Sequence, residues 1–415
     1  MSTTELQQRA STAQPVVLDP ADLAALGDRL PGPEPVLCAP PADAGRVTPL
    51  HVCEPVLDGN EARYLAECIE RNWISSSGPF VGRFESAFAD AVGANTGVAT
   101  SSGTTALHLA VAALGIGPGD EVIVPTFTMI ATANAVAYTG ATPVFADSED
   151  AHWNLSPTAF EAAITPRTRA VIVVHAYGHP AEMDPILAIA RARGIAVIED
   201  AAEAHGALYR GRPVGSIGDI AAFSFYGNKI VSTGEGGMLT TNDAALGAVA
   251  RRLRDHAFSS ERHFWHEYRG FSYRMTNLQA AVGVAQTERL DAFVARKRAH
   301  RAAYDDALRH IAGLRLPTEE TDVRSVFWMY LVLVSNDAGI TRDGLRATLA
   351  TRGIETRTAF VPLHLQPIYR AAWRDAAFPV AEDVGRRGLY LPSGVGLAPA
   401  DIAFVAREVA RACTG

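Results

Sequence analysis

Short apolar runs alternate with amphipathic stretches along most of the chain. Residues 97–100, 121–124, 142–146, 170–174 and 195–198 are rich in Val, Ile and small aliphatics, and their length predicts buried strands. Between them, 104–114, 128–138, 156–163 and 183–193 carry helical spacing, and 60–71 begins as a capped amphipathic helix. Strand and helix in alternation predict βαβ units and a mostly parallel sheet covered by helices on both faces. From about 300 the pattern changes to a long helix (290–310), strands near 327–334, a helix at 341–352 and a terminal helix from Pro399. The expected class is therefore α/β, a large domain over 47–300 followed by a smaller C-terminal α+β domain over 301–415. No internal repeat is visible. Residues 1–46 are rich in Ala, Pro, Asp and Gln, with helical periodicity only at 19–30. They are expected to form a mobile extension with one short helix.

Length agrees with this division, since 415 residues exceed what one compact core holds. A 48% hydrophobic and 20% charged composition belongs to a soluble globular protein. The net charge of -8, with no basic run, argues against nucleic acid as a partner. Cys38, Cys53, Cys68 and Cys413 show neither CxxC spacing nor neighbouring histidines. Free thiols in a reducing compartment are expected, and no metal site. No apolar run approaches the roughly 18 residues of a membrane span, and the N-terminus lacks a basic-then-apolar signal pattern. The expected location is the cytoplasm.

The chemistry concentrates in 195–243. One apolar run ends on Glu199-Asp200, and the run at 220–226 leads into Lys229 and a Gly-Glu-Gly-Gly turn at 234–237. A carboxylate at the carboxyl end of one buried strand and a lysine past another meet in one crevice. Pyridoxal phosphate (PLP) needs that pair: the lysine holds it as a Schiff base, and the aspartate keeps its ring nitrogen protonated. Composition sharpens the point. The chain has only two lysines, Lys229 and Lys297, among many arginines. Arginine cannot replace an amine in this chemistry. Lys297 lies in the polar run RKRAH and is expected on a solvated helix face.

Three further groups fall at strand ends. Residues 100–107, TSSGTTAL, place Gly103 and Thr104 at a helix start, where free N–H groups and hydroxyls bind phosphate. The same residues cap helices that bind nothing. The hydroxyl of Ser224 would suit the same phosphate, and the 125–129 segment, ending in Met129, could cover one face of a flat ring.

The motifs NWISSSGPFVGRFE, SSGTTAL, GDEVIVPTFTMIATANAV, HAYGHPAEMD, EDAAEAHGA, GDIAAFSFYGNK, TGEGGM and YRMTNLQAAVG together resemble the DegT/DnrJ/EryC1/StrS sugar-nucleotide aminotransferases, of PLP fold type I. The resemblance runs from about residue 47 to the end. It implies that Lys229 carries the cofactor and shuttles protons, and that Asp200 partners the ring nitrogen. Ala202 then packs on one ring face, Glu203 lies near the cofactor O3′, and Gly103, Thr104 and Ser224 bind its phosphate. It implies a homodimer in which Ser272 and Arg274 complete the neighbouring site. Two departures stand out: Met129 replaces a common aromatic ring, and Ser272 a common Asn.

The implied activity moves an amino group from an amino acid, L-glutamate by resemblance, to a nucleotide-linked keto sugar, PLP cycling through pyridoxamine phosphate. The motifs around Lys229 look most like enzymes that aminate C4 of GDP-4-keto-6-deoxy-mannose. Alternatives are a dTDP-linked sugar or amination at C3. A sugar dehydratase on this fold would carry histidine in place of Lys229, and a non-enzymatic regulator would not need the lysine, aspartate and phosphate groups together. Arg251, Arg252, Arg254 and the run 262–266 are candidates for the substrate diphosphate and base. The alternative for each is a solvated or packing face.

Overall fold

A computed structural model describes residues 20–40, 48–259, 261–262 and 264–414. The five predicted strands are present as β1 (Thr96–Thr100), β2 (Glu121–Pro125), β3 (Thr142–Ala146), β4 (Thr168–Val174) and β5 (Ala196–Asp200). After a short hairpin, β6 (Leu208–Tyr209) and β7 (Arg212–Pro213), come β8 (Ile220–Ser224) and β9 (Gly237–Thr241). The seven-stranded sheet has the order β1-β9-β8-β5-β4-β2-β3. Only β9 runs against the rest, pairing antiparallel with both β1 and β8. The carboxyl ends of β1, β8, β5 and β4 therefore share one edge of the sheet. Helices cover both faces, so the inner strands are buried on both sides and read as continuous apolar runs.

Local signals fix several helix ends. Ser102 caps Gly103–Ala113, its hydroxyl accepting from the Thr105 amide while the Thr105 side chain returns to the Ser102 amide. Thr276 and Gln279 form a second such box before Asn277–Thr287. Gly194, at φ +65°, closes Met183–Arg193 in the left-handed conformation that glycine adopts without strain.

The smaller domain is a four-stranded antiparallel sheet, β10 (Leu314–Arg315), β12 (Tyr330–Val334), β14 (Gly388–Leu391) and β13 (Arg357–Thr358) in that spatial order. A two-residue strand β11 (Val323–Arg324) pairs instead with β6. Period-two alternation gives β12 two jobs. Tyr330, Val332 and Val334 enter the small-domain core, while Leu331 and Leu333 join the large one. The helix Leu290–Leu308 crosses the expected boundary at 300 in the same way, with Phe293 in one core and Tyr304 in the other. Leu50 pairs with Ile354, so the chain touches the small domain before building the large one.

Of the expected extension, residues 20–40 lie against the small domain. The helix is Pro20–Leu26, and Leu26 is buried. Arg29 pairs with Glu382 at 2.6 Å, Gly32 donates its amide to Asp343, and Glu34 pairs with the buried Arg346. Residues 1–19 and 41–47 lie outside the described residues.

Candidate active site

Asp200 ends β5 at the shared edge and is 6% exposed. Its carboxylate accepts from Thr132 Oγ1 at 2.8 Å and the Ala202 amide at 3.3 Å. Burial pushes its pKa up against those two donors. Among the described residues it has no ion pair, so a cation placed against it would restore the charge balance that burial disturbs. Three residues on, Glu203 accepts from the Tyr177 amide at 2.8 Å. Burial raises Glu203 from the ordinary carboxylate value to about 7.

Lys229 reaches the same place from the turn after β8, where its amide bonds to Tyr226 O at 2.9 Å. Its Nζ stands 3.7 Å from Glu203 Oε1. Burial lowers the amine's pKa, with Glu203 and Asp200 pulling the other way. A partly desolvated amine with a lowered pKa is what a nucleophilic lysine requires.

Beside these groups lies a cradle for an anion. A Cβ added to Gly103 would fall 2.6 Å from the Ser224 Cβ, so only glycine lets the helix start touch the end of β8. A Cβ at Gly237 would strike Ser102 O at 2.2 Å, which keeps β9 equally close. The Ser102 cap takes the Thr105 amide. The Gly103 and Thr104 amides belong to the first turn, where no intrahelical acceptor exists. First-turn amides, the helix dipole and the Ser224 side chain thus lie together, and this suits a phosphate. A buried unpaired carboxylate, a desolvated lysine and an anion cradle on one edge fit PLP.

Met129 is half exposed and precedes the helix that supplies Thr132; Ala202 donates to Asp200. The Met129 carbonyl accepts from the Thr132 amide at 3.2 Å, which puts its backbone beside the Thr132–Asp200 contact. Within their own subunit, Ser272 and Arg274 follow the end of β1, where the Ser101 amide donates to Tyr273 O at 2.9 Å. Arg274 bridges to Thr100 and pairs with Asp255 at 3.1 Å, while Ser272 bridges to Asp255.

One reading of the sequence needs revision. Lys297 is not on a solvated face; it is 1% exposed and donates to Trp328 O, Ser393 O and Ser393 Oγ. The run around it is polar, but the helix crosses between the two domains and turns this residue into the joint. Arg251 and Arg254 are committed within the fold. Both reach Glu85, at 2.6 and 2.5 Å, and the carbonyls of Gly97 and Ala99. Arg252 pairs with Glu267. In the run 262–266, Phe264 and Trp265 are exposed, and His263 lies outside the described residues.

Residues missed by the sequence reading are Thr132, Tyr177 and Trp328. Tyr177 lies inside HAYGHPAEMD, but nothing local shows that its amide faces Glu203. Trp328 lies 99 residues beyond Lys229, and no spacing rule connects them.

Comparison with known proteins agrees with this geometry. Residues 55–410 match the DegT/DnrJ/EryC1/StrS aminotransferase family. The GDP-perosamine synthase of Caulobacter vibrioides is 49% identical over 85% of this chain and 95% of that protein. The chain belongs to this family. The GDP-perosamine synthase of Escherichia coli O157:H7 is 42% identical over 86% of this chain and 97% of its own. Among solved structures, DesV of S. venezuelae in complex with a ketimine intermediate superposes with a TM-score of 0.81. It is 39% identical, covering 86% of this chain and 95% of its own. The protein is thus an aminotransferase of the DegT/DnrJ/EryC1/StrS family, and the family resemblance and fold expected from the sequence hold. No helix among the described residues is long and apolar enough to cross a membrane.

Proposed function

We propose that the chain is a PLP-dependent aminotransferase that moves an amino group from L-glutamate to a GDP-linked keto sugar, with GDP-4-keto-6-deoxy-mannose as the substrate. The reading is carried by the meeting of Lys229, Glu203 and the unpaired Asp200 beside the Gly103–Ser224 cradle. The similarity to two GDP-perosamine synthases supports the choice of sugar. Bound PLP supplies the electron sink that lets an amino group leave the donor and join the acceptor. Lys229 holds the cofactor covalently and moves the proton between substrate carbon and cofactor. Asp200 would keep the ring nitrogen protonated, and Glu203 would lie near the ring oxygen. Gly103, Thr104 and Ser224 would hold the phosphate, while Met129 and Ala202 would pack on the ring.

The active unit in this proposal is a symmetric dimer, with Ser272 and Arg274 of each subunit completing the neighbour's site. The four free cysteines suit a reducing cytoplasm.

The decisive experiment supplies the purified protein with PLP, glutamate and either GDP-4-keto-6-deoxy-mannose or dTDP-4-keto-6-deoxy-glucose, and weighs the amino-sugar product. A preference for the dTDP sugar overturns the substrate assignment. Mixing inactive Lys229→Ala with Arg274→Ala should restore activity, because the hybrid dimer keeps one whole site. No recovery on subunit exchange contradicts the shared site.

A further inference from the structure

The Lys229 amine rests on the face of an indole. Its Nζ lies 3.7 Å from the Trp328 ring centroid, the same distance at which it meets Glu203 Oε1. An ammonium above a tryptophan face is attracted by the ring quadrupole, more strongly where water is excluded. Trp328 is 4% exposed.

The indole is held from several sides. Nε1 donates to Asn228 O at 2.8 Å, the residue preceding Lys229. The Trp328 amide donates to Tyr177 O at 2.9 Å. Tyr177 in turn donates its own amide to Glu203, so one residue ties together the ring and the carboxylate that flank the amine. The Trp328 carbonyl accepts from Lys297 Nζ at 2.5 Å. Lys297 also reaches Ser393 O at 2.6 Å and Ser393 Oγ at 3.4 Å. Three oxygens around one nitrogen match the three N–H bonds of an ammonium.

We propose that Trp328 is a positioning residue for the transamination. Its indole face and the Glu203 carboxylate form the seat that the Lys229 amine occupies whenever it is not bonded to the cofactor, and Lys297 fixes that seat through the Trp328 carbonyl. The inference rests on Lys229 being the cofactor-bearing lysine. A lysine released during each turnover has many rotamers and must return to one geometry. A seat keeps it within reach. The other charged or titratable groups near it are Asp200, Cys53 and His205. Asp200 favours the ammonium. Burial keeps the Cys53 thiol and the His205 ring neutral, His205 with a pKa of about 3.

Because the chain has two lysines, full-length protein carrying isotope-labelled lysine gives one side-chain NMR signal from each. In cofactor-free protein the Lys229 ε-protons should be shifted upfield by the indole, with Lys297 as internal reference. Trp328→Leu should abolish that shift and lower the Lys229 ammonium pKa by about one unit, the worth of a buried cation–π contact. Trp328→Phe should retain part of both effects. In the holoenzyme, Trp328→Leu should lower kcat roughly tenfold with little change in KM. Lys297→Met should move the Lys229 signal in the same direction; if that variant does not fold, the two Trp328 variants decide. An unchanged Lys229 signal and pKa in Trp328→Leu overturns the proposal, whatever happens to activity. Failure of the underlying reading is separable, since borohydride would then fix the cofactor somewhere other than Lys229.

Discussion

The two lysines of this chain are both buried, yet their surroundings differ in kind. Lys297 lies at the joint of the two domains among neutral oxygens, the Trp328 and Ser393 carbonyls and a hydroxyl, with no carboxylate. Lys229 lies at the strand-end edge of the large sheet between a carboxylate at 3.7 Å and an aromatic face, with a second buried carboxylate nearby. All three donors of Lys297 are spent on fixed backbone and side-chain oxygens. The Lys229 amine is held by softer, longer contacts that it can leave. Burial makes both lysines exceptional, and their partners separate a fixed brace from the amine proposed as the nucleophile.

The sharpest way to break that contrast is to remove each amine in turn. Lys229→Ala should eliminate transamination and leave no borohydride-fixed cofactor on the protein. Lys297→Met should keep the fixed cofactor but lower stability by about 2 kcal/mol or more, because buried oxygens lose their donor. Fixed cofactor in the Lys229 variant, measured by intact mass, would reverse the two roles.

The next effect belongs to the carboxylate that has no ion-pair partner among the described residues. Asp200→Asn keeps the shape and the Thr132 contact but removes the charge that holds the ring proton. Both half-reactions, followed in single turnover, should slow by at least about a hundredfold. Near-normal rates would mean that another group partners the ring.

The smallest effect separates the Lys229 pocket from its surroundings by pH. Burial raises Glu203 to about 7. A carboxyl with a raised folded-state pKa stabilises the fold while protonated. That contribution is full below the ordinary value of about 4.5 and disappears as pH rises through about 7. Glu203→Gln should therefore flatten the Tm of cofactor-free protein against pH across this window, relative to the parent. Parallel curves for the two proteins would show that Glu203 titrates normally.

Much of this was legible before any coordinates. The period-two and period-3.6 patterns placed the strands and helices of the large domain to within a few residues, because those periods are local properties of the backbone. Met183–Arg193 and Thr142–Ala146 agree with the expected bounds. The helix expected at 128–138 starts at Ala131, since Thr128 bonds instead to Thr132. Lys229 stood out because an arginine-rich chain kept an amine there.

The pair Glu199-Asp200 marks where sequence stops deciding. Adjacent residues on a strand face opposite sides of the sheet. Glu199 turns to His175 at 3.1 Å and to the amides of Gly215, Ile217 and Gly218, and so serves as an internal cap. Asp200 turns to Thr132 and the crevice. Which carboxylate faces which side, which lysine braces the domains, and that an indole 99 residues away packs on the other are set by contacts between distant segments. The sequence alone determined the order of elements, the sheet edge where the candidate groups collect and the amine proposed to act there. Tertiary structure decided the partners, because a buried charge is defined by what packs around it and that packing is invisible to any local pattern.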